Sequence, residues 1–193
     1  NRRSVEELRS ARITFRQSLI AAAISTTLAS QASANPQGPS VVAGAANISS
    51  TASGQMLISN TPGAIINWQG FSISRDEITR FVQQNAGSAV LNRVIGNQRS
   101  DIFGKLLSNG RVFLVNPNGI VFGEHAIIDT AGLIASSLDI SDADFIAGKM
   151  HFEGDRGEVR NHGYIRVNNA GEVMLVAPDV TNTGIIRADD GRI

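Results

Sequence analysis

Three histidines, His125, His151 and His162, are the residues best suited to hold a metal or move a proton near neutral pH. Their spacing forms no ligand set, and the chain has no cysteine to complete one. They read as exposed or corner residues. Asp142 with Asp144, and Asp189 with Asp190, are close carboxylates of the kind that glycosidases and calcium sites use. No Asp-x-Asp-x-Asp-Gly frame surrounds either pair, so both read as solvated turn charges. No serine stands in a Gly-x-Ser-x-Gly frame, and there is neither a Gly-x-Gly-x-x-Gly run nor a phosphate loop. The chain therefore reads as non-enzymatic, with no catalytic residue, metal or cofactor.

Asparagine is the residue type left to explain. Asn67, Asn92, Asn109, Asn116, Asn118, Asn161 and Asn182 lie in or beside apolar segments. In stacked coils a turn asparagine can bond its equivalent one coil on, and this is the reading of Asn161 and Asn182. Asn116-Pro117-Asn118-Gly119 stands between two apolar runs, Val112-Phe113-Leu114-Val115 and Ile120-Val121-Phe122. Pro117 lacks an amide hydrogen and cannot sit in a central strand. Asn first, Pro second and Gly fourth match a type I turn. Such a corner can serve folding alone or present a surface of fixed shape to a partner.

The elements that position these residues are mostly short strands. Val41–Gly44, Ala46–Ile48, Gln55–Ser59, Ala64–Trp68, Phe71–Ser74 and Ala89–Val94 read as β, with a turn at Asn60-Thr61-Pro62-Gly63. Residues 75–82 are the best helix candidate in the body. Val159-Arg-Asn161-His-Gly163-Tyr-Ile165 aligns with Val180-Thr-Asn182-Thr-Gly184-Ile-Ile186 at an offset of 21. Gly171-Glu-Val173 and Gly191-Arg-Ile193 recur at an offset of 20. Ile128 to Ile134 fits the same frame, and Val115 to Val121 fits it loosely. A period near 20 predicts a solenoid, here a parallel β-helix of three short strands per coil. An antiparallel sandwich is the competing fold, but the repeats keep residue identity at the corner, as stacking requires. Residues 139–148 break the period and read as an excursion, a short hairpin or helical turn. The chain stops mid-repeat, which predicts a piece of a longer β-helical protein.

Residues 1–34 carry five Arg and two acidic groups, and residues 35–193 carry 12 basic and 15 acidic groups. An acidic body without a basic stripe argues against nucleic acid. The Arg-rich start, an apolar run of about a dozen residues and Ala32-Ser33-Ala34 form a secretory signal with cleavage after Ala34. The competing reading is an amphipathic helix of the mature protein. The domains are then a signal peptide, 1–34, and one β-helix domain, 35–193. The absence of cysteine suits a chain held unfolded in an oxidising compartment, though many bacterial proteins simply have few.

Asn109 to Gly123, with Asn116-Pro117-Asn118-Gly119-Ile120 at its centre, resembles the core of the secretion domain of two-partner secretion exoproteins, the family of filamentous haemagglutinin-like and high-molecular-weight adhesins. Ile66 to Ile73, Ala89 to Val94, Ala131 to Leu138 and Phe152 to Ile165 resemble family segments in the same order. The resemblance implies a right-handed parallel β-helix with an N-terminal cap and extra-helical β elements. It implies Sec export to the periplasm of a Gram-negative bacterium, and recognition there by POTRA domains of a cognate outer-membrane β-barrel. The product would be a secreted or surface adhesin, monomeric as a domain, whose passenger reaches host cells. The family's second motif, NPNL, is absent; Asn67, Asn92 and Arg93 stand in the comparable region and join residues 116–120 as candidates for recognition.

Two other functions compete. A β-helical enzyme on polysaccharide would need Asp142, Asp144, Asp189, Asp190, Arg160 and Arg166 on one groove. A domain that itself binds host glycan or matrix would use the near-neutral Asn/Thr-rich surface.

Overall fold

The computed structural model describes residues 35–168 and 170–193; the signal peptide expected at 1–34, with its cleavage site at Ala34, lies outside them. In chain order the strands are β1 (Ser40–Ala43), β2 (Ala46–Ser50), β3 (Gln55–Asn60), β4 (Ala64–Trp68), β5 (Ile78–Val82) and β6 (Ala89–Val94). Then come β7 (Ser100–Ile102), β8 (Lys105–Ser108), β9 (Arg111–Val115), β10 (Ile120–Phe122), β11 (Ile127–Thr130), β12 (Gly132–Ser136) and β13 (Asp139–Ile140). Helix α1 (Asp142–Ile146) follows, then β14 (Phe152–Glu153), β15 (Glu158–Asn161), β16 (Tyr164–Val167), β17 (Val173–Val176), β18 (Asp179–Asn182) and β19 (Ile185–Ala188). The described residues form one compact unit.

These strands build a parallel β-solenoid. Three sheets run along it, ordered β1-β4-β6-β9-β12-β17, β18-β15-β10-β7 and β19-β16-β11-β8-β5-β3-β2. Each successive coil adds one strand to each sheet, in parallel. Ser100 pairs with Ile120, Val112 with Leu133 and Leu106 with Ile128, so these regular coils take 20, 21 or 22 residues, while the earlier turns are longer, with Ala64 under Val90 and Ile78 under Lys105. Two antiparallel strands close the N-terminal end: β1 on β4, and β2 in a hairpin with β3.

The interior is made by stacking. Val90, Val112, Leu133 and Val173 lie in one row, and Leu106, Ile128, Ile165 and Ile186 in another. Burying one such side chain contributes about 1.5–3 kcal/mol, and only the next coil can bury it.

A second apolar cluster lies outside the solenoid, on the other face of the first sheet. Ile65, Leu91, Phe113, Val115 and Ile134 point outward there and meet Ile140 and Phe145. Strands with both faces buried read as continuous apolar runs, and β9 (RVFLV) and β12 (GLIAS) are such runs. The cover is the predicted excursion, which is both a hairpin and a helical turn: β13 pairs antiparallel with β14, and α1 lies between them. Ser141 caps α1 by accepting the Asp144 N–H.

Four expectations change. Residues 75–82 are not a helix. Ser74 and Glu77 make half of a helix-start signal, with Ser74 N donating to Glu77 Oε2 at 2.8 Å, while Glu77 N donates to the Ser74 backbone carbonyl at 2.9 Å and closes a turn. The chain then runs into β5, because Thr79 and Phe81 bury inward between β3 and β8 while Arg80 and Val82 stay outside. Phe71–Ser74 is not a strand; only Ile73 bridges, to Ile102. Ile128–Ile134 is not a copy of Val159–Ile165, because Ile128 stacks on Ile165 and Ile134 on Met174. Val115–Val121 is likewise out of frame, since Ile120 is the residue under Val159. The pair at 159–165 and 180–186 is in register throughout, with Asn161 opposite Asn182 and Ile165 opposite Ile186.

Candidate functional site

The corner at 116–119 joins β9 to β10. Its turn is closed by Gly119 N–H to Asn116 O at 2.9 Å. Asn116 is fully buried, and every polar group of its side chain is committed. Its Nδ2 donates to Gln98 O at 3.0 Å and to Ser100 Oγ at 2.9 Å, and its Oδ1 accepts from Asn118 N at 2.9 Å. Its own N–H donates to Ser136 O at 2.9 Å. One residue thus ties the coil before to the coil after. Asn118 is half-buried and donates to Gly96 O at 2.9 Å. Gly119 has φ 100°, and a Cβ there would stand 3.2 Å from Glu158 O. A side chain at that position is strained twice over.

Asn92 points the other way, into the solenoid. It is buried, accepts the indole N–H of Trp68 at 3.0 Å and donates to Phe113 O at 3.2 Å. A buried amide is tolerated there because both of its ends are bonded. Arg93, the next residue, faces outward and holds the excursion down. Its Nε reaches Asp139 at 2.8 Å, its Nη1 reaches Asp142 at 2.7 Å, and its Nη2 meets Ile140 O. Burial pulls the Arg93 pKa down, but the bonds and charges of Asp139 and Asp142 outweigh this and raise it above its ordinary value. Asp142 is therefore an ion-pair partner rather than a solvated turn charge. Asn67 lies beside Arg93 in register, and its buried Oδ1 accepts no hydrogen bond among the described residues.

The structure divides the predicted residues into two groups. Asn92, Asn116, Gly119 and Ile120 are buried. Arg93, Pro117 and Asn118 line one open cleft of about 790 Å³ with Gln69, Ile95, Asp139 and Arg156. Sequence reading missed Ile95 and Arg156. Ile95 is a large aliphatic left half exposed just after a buried strand, which is a signal of a kind.

No common groove collects the residues that the enzyme reading needs. Arg160 faces out from the four-stranded sheet, Arg166 belongs to the seven-stranded sheet, Asp142 lies on the excursion and Asp189 pairs with Arg187. His162 Nδ1 meets Thr183 Oγ1 at 2.6 Å, and His151 lies 3.5–3.6 Å from Asp144 and Glu153. Among the described residues no three His, Asp or Glu side chains come together as a metal site.

A capped parallel β-solenoid with one excursion clamped onto its outer face defines the class. The chain belongs to the TPS secretion domain family, whose sequence model matches residues 30–191. Among solved structures it is similar to the HMW1 secretion domain from Haemophilus influenzae, with 44% identity, a TM-score of 0.76, and 79% of this chain and 42% of that one covered. Curated relatives include two heme/hemopexin-binding proteins of Haemophilus influenzae. One is 42% identical over 105 residues, 54% of this chain, and the other 36% identical over 131 residues, 65% of this chain. The match spans only 12% and 14% of those relatives' lengths. None of the described helices is long and apolar enough to cross a membrane.

Proposed function

We propose that this domain is the secretion and targeting module of a large exoprotein of a Gram-negative bacterium, engaged in the periplasm by POTRA domains of a cognate outer-membrane barrel. The observation that carries the reading is the family match over residues 30–191. Residues 1–34 act as the signal for Sec export and are removed after Ala34. The small share of the relatives that is matched supports a long passenger beyond the module. By similarity to the heme/hemopexin-binding proteins, that passenger acts as a surface or secreted binder, in the manner of an adhesin.

Burial supports a division of roles within the signature. Asn116 and Asn92, fully enclosed, build the corner and the interior. Pro117, Asn118 and Arg93, with Ile95 and Arg156, form the surface the partner contacts. The edges of β1 and β2 offer a second contact by strand addition, which strand-blocking Pro substitutions at Val42 and Asn47 test directly.

The experiment is secretion with the partner barrel co-expressed, alongside thermal melting of each purified variant. Asn116→Ala loses both export and stability, because it removes the partner of Gln98 O, of the buried Ser100 hydroxyl and of the Asn118 N–H. Ile95→Asp and Arg156→Glu lose export and keep the melting temperature. If both cleft variants are exported like wild type, the contact surface is elsewhere. If wild type is never exported with the partner present, the export reading itself falls.

A further inference from the structure

The outward residues of the seven-stranded sheet are exposed or half-buried. They form two rows in register. Gln55, Ile78, Lys105, Ile127, Tyr164 and Ile185 make one. Leu57, Arg80, Leu107, Asp129, Arg166 and Arg187 make the other. With strands about 4.8 Å apart, each row is about 24 Å long. Large aliphatics stand open to solvent on it: Leu57 at 42%, Val82 at 44%, Ile127 at 39% and Ile185 at 62% exposure. Exposed aliphatics gathered on one sheet face mark an interaction surface.

The charge on this face is opposite to that of the body. The two rows hold four cations and one carboxylate, while residues 35–193 carry 12 basic and 15 acidic groups. Asp129 is paired with Arg166 at 2.7 Å, and Arg187 with Asp189 at 2.8 Å. Arg80 and Lys105 have no carboxylate within 4.0 Å among the described residues. The excess positive charge therefore sits at Arg80 and Lys105, next to Leu57, Ile78, Leu107 and Ile127. In the sequence these cations are 25 residues apart and form no basic run, which is why no stripe is visible there.

We propose that this face docks on a bilayer of anionic phospholipid. Its aliphatics and Tyr164 reach the acyl boundary, while Arg80 and Lys105 extend along them to the headgroup phosphates. The interleaving favours lipid over protein. A protein interface keeps its centre poor in charge and puts charges at the rim, whereas here the two unpaired cations stand among aliphatics, Lys105 between Ile78 and Ile127 and Arg80 between Leu57 and Leu107. The surface shares no residue with the cleft at Pro117 and Asn118.

The test uses residues 35–193, which hold every described strand and both apolar clusters in one compact unit. Binding is measured by sedimentation with vesicles of pure phosphatidylcholine and of phosphatidylcholine with 30% phosphatidylglycerol (roughly the anionic fraction that gives a useful surface potential). Wild type binds the anionic vesicles and is released by salt. The Arg80→Gln, Lys105→Gln double variant loses about thirtyfold in partitioning. Arg160→Gln, on the four-stranded sheet, changes little. Because the chain has no cysteine, Ile127→Cys and Thr181→Cys each accept a single environment-sensitive label. The label at 127 shifts to an apolar signal on anionic vesicles, and the one at 181 does not. No binding to either vesicle overturns the proposal, as does equal loss from Arg160→Gln or equal shifts at both labels.

Discussion

The interior of the solenoid and the apolar cluster on its outer face are both buried, yet they are built by different rules. Inside, each residue is held by the equivalent residue one coil before and one coil after. Outside, Phe113 and Ile134 are covered by a single excursion, and Arg93 clamps that excursion with three bonds. The interior is repeated and cooperative, so damage there spreads along the stack. The outer cluster is one local closure that can open while the coils stay formed. The two corners differ in the same way. Asn161 donates to Asn182 one coil on at 2.8 Å, repeating a unit, whereas Asn116 bonds back to Gln98 O and the Ser100 hydroxyl of the coil before, with no asparagine as its partner there.

Four substitutions break or sharpen this comparison. Phe122→Ala, in the middle of the interior stack, is expected to cost about 4 kcal/mol in denaturant unfolding, with one cooperative transition. Phe145→Ala removes the edge-to-face contact with Phe113 at 5.0 Å between ring centres. Its cost is about 3 kcal/mol, read as fast amide exchange and new protease cleavage within residues 139–153 while β9 and β12 stay protected. Global unfolding in that variant would show the two clusters to be one unit. Arg93→Met costs about 1.5 kcal/mol, less than Phe145→Ala, because Asp139 and Asp142 remain hydrated at 53% and 42% exposure. A cost equal to that of Phe122→Ala would make the clamp part of the main fold. Asn182→Ala removes one bond of the stacked corner and costs about 1 kcal/mol, seen as a small drop in melting temperature.

Legibility in the sequence followed the same division. Ala64–Trp68 and Ala89–Val94 were readable to the residue, because buried strands between turn residues leave little ambiguity. The 21-residue repeat at Asn161 and Asn182 was readable because both coils are regular. The excursion hid the rest: inserted between Ser136 and Glu158, it stretches the spacing from Ile120 to Val159 to 39 residues. The alignments at Val115 and Ile128 failed for that reason. Residues 75–82 failed for another, since Glu77 accepts the Ser74 N–H as at a helix start and the packing of Thr79 and Phe81 draws the chain into β5 instead. The cleft was half legible: the Asn-Pro-Asn-Gly corner was visible, but Ile95 and Arg156 join it only through folding.

The sequence by itself determined the short strands, the corners, the coil length and the family, because turn chemistry and apolar spacing act over a few residues. Only the tertiary structure decided which asparagines face inward, that Arg93 and Asp142 meet, and that cations from separate coils share one face. Those facts depend on register between strands 20 or more residues apart, and register is set by the whole stack.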